Sequence, residues 1–260
     1  MARIYPLFSS SKGNASFVGT QNGGILIDVG VSCKRLCSAL DDNGIPPEAI
    51  QGIFITHTHS DHISGLKIFT KKYNIPVFAQ QTNLNELSAK DKVDAKCSLN
   101  PVDFSDIYIG DFKVHSFKTP HDTAASCGYR IETPDGKILV ICTDLGHVTS
   151  EIDDNLCGAD LVLLESNYDV NMLQNGSYPY NLKVRISSKH GHLSNNDCGR
   201  ELARLLKNGT YKFILGHLSQ ENNTPQIARE SAISALSEYA SVKEYMLMTA
   251  KPQGGMAVAF

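Results

Sequence analysis

Apolar residues along this chain gather into short runs separated by turn residues, with no long unbroken stretch. Gly24-Ile25-Leu26-Ile27-Asp28 is apolar on both faces and too short for a helix, which predicts a buried strand. Ser32 then stands at a capping position before Cys33, Leu36, Cys37 and Leu40, whose spacing forms one stripe and predicts a helix closed by Gly44. Ile53-Phe54-Ile55 predicts the next buried strand and runs directly into a cluster of histidines. Residues 106–109 and 112–117 alternate on either side of Gly110-Asp111 and predict a hairpin; residues 128–131 and 137–142, around Pro134-Asp135-Gly136, repeat the pattern. Residues 161–164 and 213–215 predict further strands, each followed by a polar loop and a helix, the last helix opening at Thr224-Pro225. Strands mixed with helices, with polar residues collected at strand ends, predict a layered α/β or α+β domain whose site lies at the strand termini.

Composition narrows this picture without redirecting it. The 260 residues fit one domain, 1–260, because repeats of solenoid period, low-complexity tracts and Gly/Ser linkers are absent. A hydrophobic share of 42% with 20% charged residues predicts a sizeable core. The first residues reach Ser9-Ser10-Ser11-Lys12 before an apolar leader develops, and residues 138–142 form a run only long enough for a strand. The expectation is a cytoplasmic protein that neither spans nor binds a membrane. Seven scattered cysteines without a Cys-x-x-Cys pair are expected to be reduced thiols. A net charge of −3 excludes a broadly basic surface, so any polyanion must be met by local charge.

Candidate chemistry centres on His57-Thr58-His59-Ser60-Asp61-His62. Alternation along an extended segment points His57 and His59 the same way, and Asp61 and His62 fall where the chain turns into a helix. Imidazole and carboxylate suit zinc and neighbouring divalent metals, and a site without thiolates commonly keeps a position open for water. No Gly-x-Ser-x-Gly elbow is present, and Gly13-Asn14-Ala15 is not a P-loop.

With Leu26-Ile27-Asp28-Val29-Gly30 upstream, and Pro120-His121-Asp122, Thr143-Asp144-Leu145-Gly146 and Leu215-Gly216-His217 downstream in that order, the motif resembles the metallo-β-lactamase superfamily as far as about Asn223. The resemblance implies an α+β fold, an αββα four-layer sandwich with helices on both outer faces. It implies one metal held by His57, His59 and His121, another by Asp61, His62 and His217, and Asp144 bridging them. Two such ions, zinc first and manganese or iron as alternatives, would lie about 3.5–4 Å apart and share a hydroxide for hydrolysis. Asp28 is expected to support the motif loop, and His115, His147 and His190 match no ligand position.

Leu163-Leu164-Glu165-Ser166-Asn167-Tyr168, Gly191-His192-Leu193-Ser194 and Gly216-His217-Leu218-Ser219 resemble the extra motifs of the nucleic-acid-processing branch. Within it the chain is similar to the small bacterial YycJ/WalJ/VicX family, which implies a DNA exonuclease acting 5′ to 3′ on double strands, with DNA as partner and no obligate protein partner. The interval from Asp144 to His217 is too short for the β-CASP domain of larger relatives. The same resemblance makes His192 a catalytic histidine outside the metal shell, oriented by Glu165, with Asp61 counted in the catalytic set. Lys183, Arg185 and Lys189 are expected to meet the DNA backbone, Ser194 to touch substrate, and Tyr178 and Tyr180 to stack on bases. The helix carrying Lys67, Lys71 and Lys72 is read as a solvated face. Two other functions compete: a small-molecule hydrolase of the same fold, either a cyclic phosphodiesterase or a glyoxalase-II-like thioesterase, and a non-catalytic regulator. Retention of all seven candidate ligands argues against the regulator.

Overall fold

The structure is a computed structural model that describes residues 1–240 and 244–260. The first half of the chain carries β1 (Arg3–Ser10), β2 (Gly13–Thr20), β3 (Gly23–Ile27), α1 (Cys33–Asp42) and β4 (Ile50–Phe54). It continues with α2 (Ser60–Ile63), α3 (Leu66–Tyr73), β5 (Val77–Ala79), α4 (Gln81–Ala89) and β6 (Leu99–Pro101). The second half begins with β7 (Asp106–Ile109), β8 (Phe112–Lys118), β9 (Cys127–Glu132), β10 (Ile138–Cys142) and α5 (Ser150–Leu156). After them come β11 (Leu161–Glu165), α6 (Val170–Asn175), α7 (Tyr180–Ile186), α8 (Asn195–Lys207), β12 (Lys212–Gly216) and α9 (Pro225–Ala240). Strands β13 (Met246–Thr249) and β14 (Val258–Ala259) follow.

Two sheets of the same plan result. One runs β14-β1-β2-β3-β4-β5-β6, the other β13-β12-β11-β10-β9-β8-β7. Each is antiparallel through its hairpins, then parallel where helices cross over, from β3 to β6 and from β10 to β13. Alternation sorts the side chains. Leu26 and Ile53 pack with Leu36 of α1, Phe69 of α3 and Leu87 of α4 on one outer face. Val162, Leu164 and Leu215 pack with Ile152 of α5, Leu202 of α8 and Ala232 of α9 on the other. Ile25, Ile27, Phe54, Leu139, Ile141, Leu163 and Ile214 fill the space between the sheets. Three apolar layers separate four structural layers, which is the αββα sandwich. Because the central strands are covered on both faces, they are mostly apolar on both, as in ILVIC of β10 and LVLL of β11.

Within the middle layer Phe54 stacks on Phe78 with ring centroids 4.7 Å apart and meets the edge of Tyr129 at 5.5 Å. Burying Tyr129 leaves no hydroxyl unsatisfied, since it donates to the Ile55 carbonyl at 2.7 Å. Capping agrees with the sequence: Ser32 caps α1, and the Thr224 hydroxyl accepts from the Ile227 amide in the first turn of α9. The hairpin of β1 and β2 escapes the apolar pattern because Ser9, Ser10, Asn14 and Ser16 interrupt it, yet all four are buried.

Candidate metal centre

The parallel strands of both sheets deliver their following residues to one end of the sandwich. Asp28 follows β3, residues 55–62 follow β4, Asp144 follows β10, Glu165 closes β11 and His217 follows β12. An isolated bridge from Ser10 to Leu218, and a hydrogen bond of 2.8 Å from the His217 amide to Ser9 Oγ, tie the two sheets together there. Asp28, Asp144 and His217 all have left-handed backbones, with φ of 62°, 58° and 53°. Residues other than glycine occupy that region at a cost and are concentrated at functional sites. Gly30 is needed for a different reason: a Cβ there would lie 1.7 Å from the Asp61 carbonyl oxygen, so only glycine lets the β3 loop press against the motif.

Two groups of side chains converge. The rings of His57, His59 and His121 form a triangle with centroids 4.7 to 5.0 Å apart. Beside it, His62 Nε2 and His217 Nε2 each lie 3.5 Å from Asp61 Oδ2. Asp144 stands between the groups, its Oδ2 3.4 Å from His62 Nε2 and its Oδ1 3.6 Å from His217 Nε2 and 3.7 Å from His121 Nε2. His57, His62, His121, Asp144 and His217 are buried, whereas His59 and Asp61 border the opening.

Outer partners fix the rings. Thr56 Oγ1 donates to Asp28 Oδ2 at 2.9 Å, so His57 Nδ1, 3.0 Å away, donates to that hydroxyl. His62 Nδ1 donates to Asp28 Oδ2 at 2.8 Å, His121 Nδ1 to the Gly191 carbonyl at 3.0 Å, and His217 Nδ1 to Glu165 Oε1 at 2.7 Å. Each of the four rings thereby turns Nε2 inward, the arrangement by which proteins orient metal-binding imidazoles. His57 Nε2, His217 Nε2 and Asp144 Oδ2 are buried without a hydrogen-bond partner. Orphans of this kind are costly in a folded protein, and divalent cations satisfy them. The cluster of imidazoles and carboxylates thus fits divalent metals, and its candidate sets contain no thiol among the described residues. Burial pushes the nearby Cys127 thiol up to about 12, which keeps it protonated.

Electrostatics divide the two groups. Burial, reinforced by the neighbouring imidazoles, holds His57 and His59 below the ordinary histidine range, so they stay neutral. Burial would do the same to His217, but Asp144, Asp61 and Glu165 push it up to about 10. His62 is raised in the same way by Asp144, Asp28 and Asp61. For Asp61, burial acts upward and is outweighed by His62 and His217, which leave it well below the usual carboxylate range.

Glu165 has a double task that the sequence does not reveal. Its Oε1 accepts from His192 Nδ1 at 2.8 Å as well as from His217, and its Oε2 accepts from the Leu145 and Leu193 amides, both at 3.1 Å. Four N–H donors occupy the acceptor sites of one buried carboxylate, which leaves it an anchor with no lone pair for a metal. Burial opposes charge on His192, yet Glu165 outweighs it and raises the imidazole above its ordinary range. A cavity of about 180 Å³ opens beside His192, lined also by Ser11, Asp122, Tyr178, Arg185 and Ser219.

The expected substrate contacts separate. Arg185 reaches the cavity and pairs with Asp122, which also lies 3.4 Å from His121 Nε2. Lys183 lies on the opposite side of α7, donating to the Gln174 carbonyl at 2.8 Å. The backbone carbonyl of Lys189 accepts from His147 Nδ1 at 3.0 Å. Ser194 is 3% exposed and its hydroxyl caps α8, accepting from the Asp197 amide at 3.1 Å, so it is committed to the helix end and not to the cleft. Lys67 pairs with Asp91 on the surface. Asn14, and the pairing of Asp122 with Arg185, escape the sequence reading. Asn14 Nδ2 lies 3.1 Å from His62 Nε2 and donates to the Asp61 carbonyl at 3.3 Å.

Comparison with known proteins agrees with this architecture. The profile of the Metallo-beta-lactamase superfamily matches residues 11–217. The chain is 37% identical over 241 residues to exodeoxyribonuclease WalJ of Streptococcus pneumoniae, covering 89% of this chain and 87% of the relative. It is 35% identical over 235 residues to exodeoxyribonuclease YycJ of Bacillus anthracis, covering 89% and 88%. Among solved structures, the metallo-β-lactamase fold protein YhfI of Bacillus subtilis superposes with a TM-score of 0.75 at 16% identity, covering 99% of this chain and 98% of that one. No helix among the described residues is long and apolar enough to cross a membrane.

Proposed function

The chain belongs to the metallo-β-lactamase superfamily, and we propose that it is a metal-dependent phosphodiesterase that degrades double-stranded DNA from its ends, 5′ to 3′. His57, His59 and His121 would hold one divalent ion and Asp61, His62 and His217 a second, with Asp144 between them. Zinc is the first choice for this donor set, and manganese or iron are alternatives that the nitrogen and carboxylate ligands also accept. Such a pair supplies a water-derived nucleophile at neutral pH and neutralises charge on a phosphoryl group.

The observation that carries the phosphodiesterase reading is the sharing of Glu165 Oε1 by His192 and His217. It fastens a proton-bearing imidazole to the wall of the metal cluster. With Nδ1 committed to Glu165, His192 Nε2 is the nitrogen left to give a proton to a leaving oxygen. A deoxyribose alkoxide is a poor leaving group and needs that proton, whereas the thiolate released by a thioesterase leaves without it. Arg185, steadied by Asp122 at the cavity mouth, supports the phosphate charge. The identities of 35–37% to two exodeoxyribonucleases over most of the chain favour DNA as the substrate.

The test is incubation of the metal-loaded protein with duplexes labelled at one end, read on a sequencing gel, alongside the His192→Ala variant. The proposal expects stepwise shortening from the 5′ ends, and a variant that keeps its metals while turnover falls about 10²–10⁴-fold. Rapid hydrolysis of a thioester with intact DNA would refute it.

A further inference from the structure

Residues 174–190 include no buried residue, although several of them border the cavity beside His192. From Val170 to Asn196 the chain carries Lys183, Arg185 and Lys189 and no carboxylate, within a protein of net charge −3. Helix α7 is the spine of this arm, with open space on both sides. Leu182, Arg185 and Ile186 face the cavity of about 180 Å³ beside His192. Tyr180, Lys183, Val184 and Ser187, on the other stripe of the same helix, face a groove of about 340 Å³ whose floor is Tyr168 and Leu173. Tyr180 is 78% exposed and Val184 47%, so this second groove offers a ring and an aliphatic wall to a ligand, with an ammonium beside them. Lys183 uses one N–H on the Gln174 carbonyl, and an ammonium has three.

We propose that α7 divides the two strands of a duplex end. This rests on the phosphodiesterase reading above. The strand to be cut enters the metal side past Tyr178 and Arg185. Its complement is drawn into the far groove, where a base stacks on Tyr180 and a phosphate meets Lys183. Charge complementarity selects a nucleic-acid strand as the occupant. Aromatic stacking is indifferent to base identity, as degradation of any sequence from its end requires. A helix with no buried residue can stand between two separated strands because neither face is needed by the core.

The Tyr180→Ala, Lys183→Ala double variant tests the idea with three substrates carrying the same labelled strand: a blunt duplex, a duplex with several mismatched terminal pairs, and the single strand. The expected result is a fall of at least about tenfold in the ratio of blunt-duplex to single-strand rates, with most of it restored by the mismatched end. An unchanged ratio would assign the groove to another occupant and overturn the proposal, as would equal loss on all three substrates. Wild-type protein that degrades none of them would instead refute the phosphodiesterase reading from which the proposal starts. Thermal melting of the variant close to wild type is expected, since both side chains are on the surface.

Discussion

Replacing Glu165 by glutamine separates its anchoring role from simple bulk. The carboxylate is fully buried and accepts from four N–H groups, two of them on imidazoles. Glutamine keeps one oxygen. If that oxygen stays with His192 and His217, the new amide faces the Leu145 and Leu193 amides donor against donor. Leaving two buried donors unsatisfied costs about 1–3 kcal/mol each, so a loss of about 2–6 kcal/mol in stability is expected, read as a lower melting temperature. The metals should stay, because His217 retains its orienting bond. The carboxylate charge that favours a protonated His192 is gone, and the acid contribution of about 10²–10⁴ should shrink accordingly. That loss depends on the leaving group. Turnover on DNA, which expels an alkoxide, should fall about a hundredfold or more, while bis-p-nitrophenyl phosphate, which expels a stable phenolate, should lose less than about tenfold. Equal losses on the two substrates with metals retained would show that Glu165 does not act through a proton on His192, and the reasoning would fail.

Three further outcomes follow from the same geometry. Asp28→Asn removes one acceptor from the group that holds Thr56 and His62, and the Thr56 hydroxyl in turn orients His57, so metal affinity should fall about 10–100-fold, seen as reduced metal stoichiometry by elemental analysis. Gly191→Ala would put a Cβ 2.2 Å from the Ile186 carbonyl oxygen and 2.3 Å from that of Arg185, displacing the turn that carries His192, and should cost about 1–3 kcal/mol in a denaturant titration. In the metal-stripped protein His217 holds its proton up to about 10, and a metal needs the neutral ring, so uptake should release protons and tighten tenfold per pH unit for each proton displaced. The stripped protein's stability should move the opposite way. The gain from His217, whose folded value is raised, is complete below about pH 6.5 and is lost as pH climbs through about 10, which melting curves across that range will register.

Those elements that the sequence made legible share one physical feature. Strands β3, β4, β10, β11 and β12 are covered on both faces, so their apolar runs stand out, and the ligand types follow directly at their ends. Contacts made across long stretches of chain were not legible. Asn14 approaches His62 from 48 residues away and Ser9 holds the His217 amide from 208 away, with nothing local to mark either. Lys183 and Arg185 read as one basic patch in the sequence because two positions apart looks adjacent. In a helix they lie on different faces, and the short α7, with apolar residues on both stripes and none of them buried, offers no single-faced periodicity by which to see it. Ser194 shows a similar limit: a hydroxyl two residues from His192 resembles a substrate contact until the Asp197 amide behind it is located.

The central claim is that seven side chains enclose two neighbouring cations. Anomalous diffraction from crystals grown with zinc or manganese, collected on both sides of the metal's absorption edge, measures this directly. The account predicts two peaks, one inside the His57, His59 and His121 triangle and one among Asp61, His62 and His217, with Asp144 reaching both. A single peak elsewhere, or none at saturating metal, would contradict it.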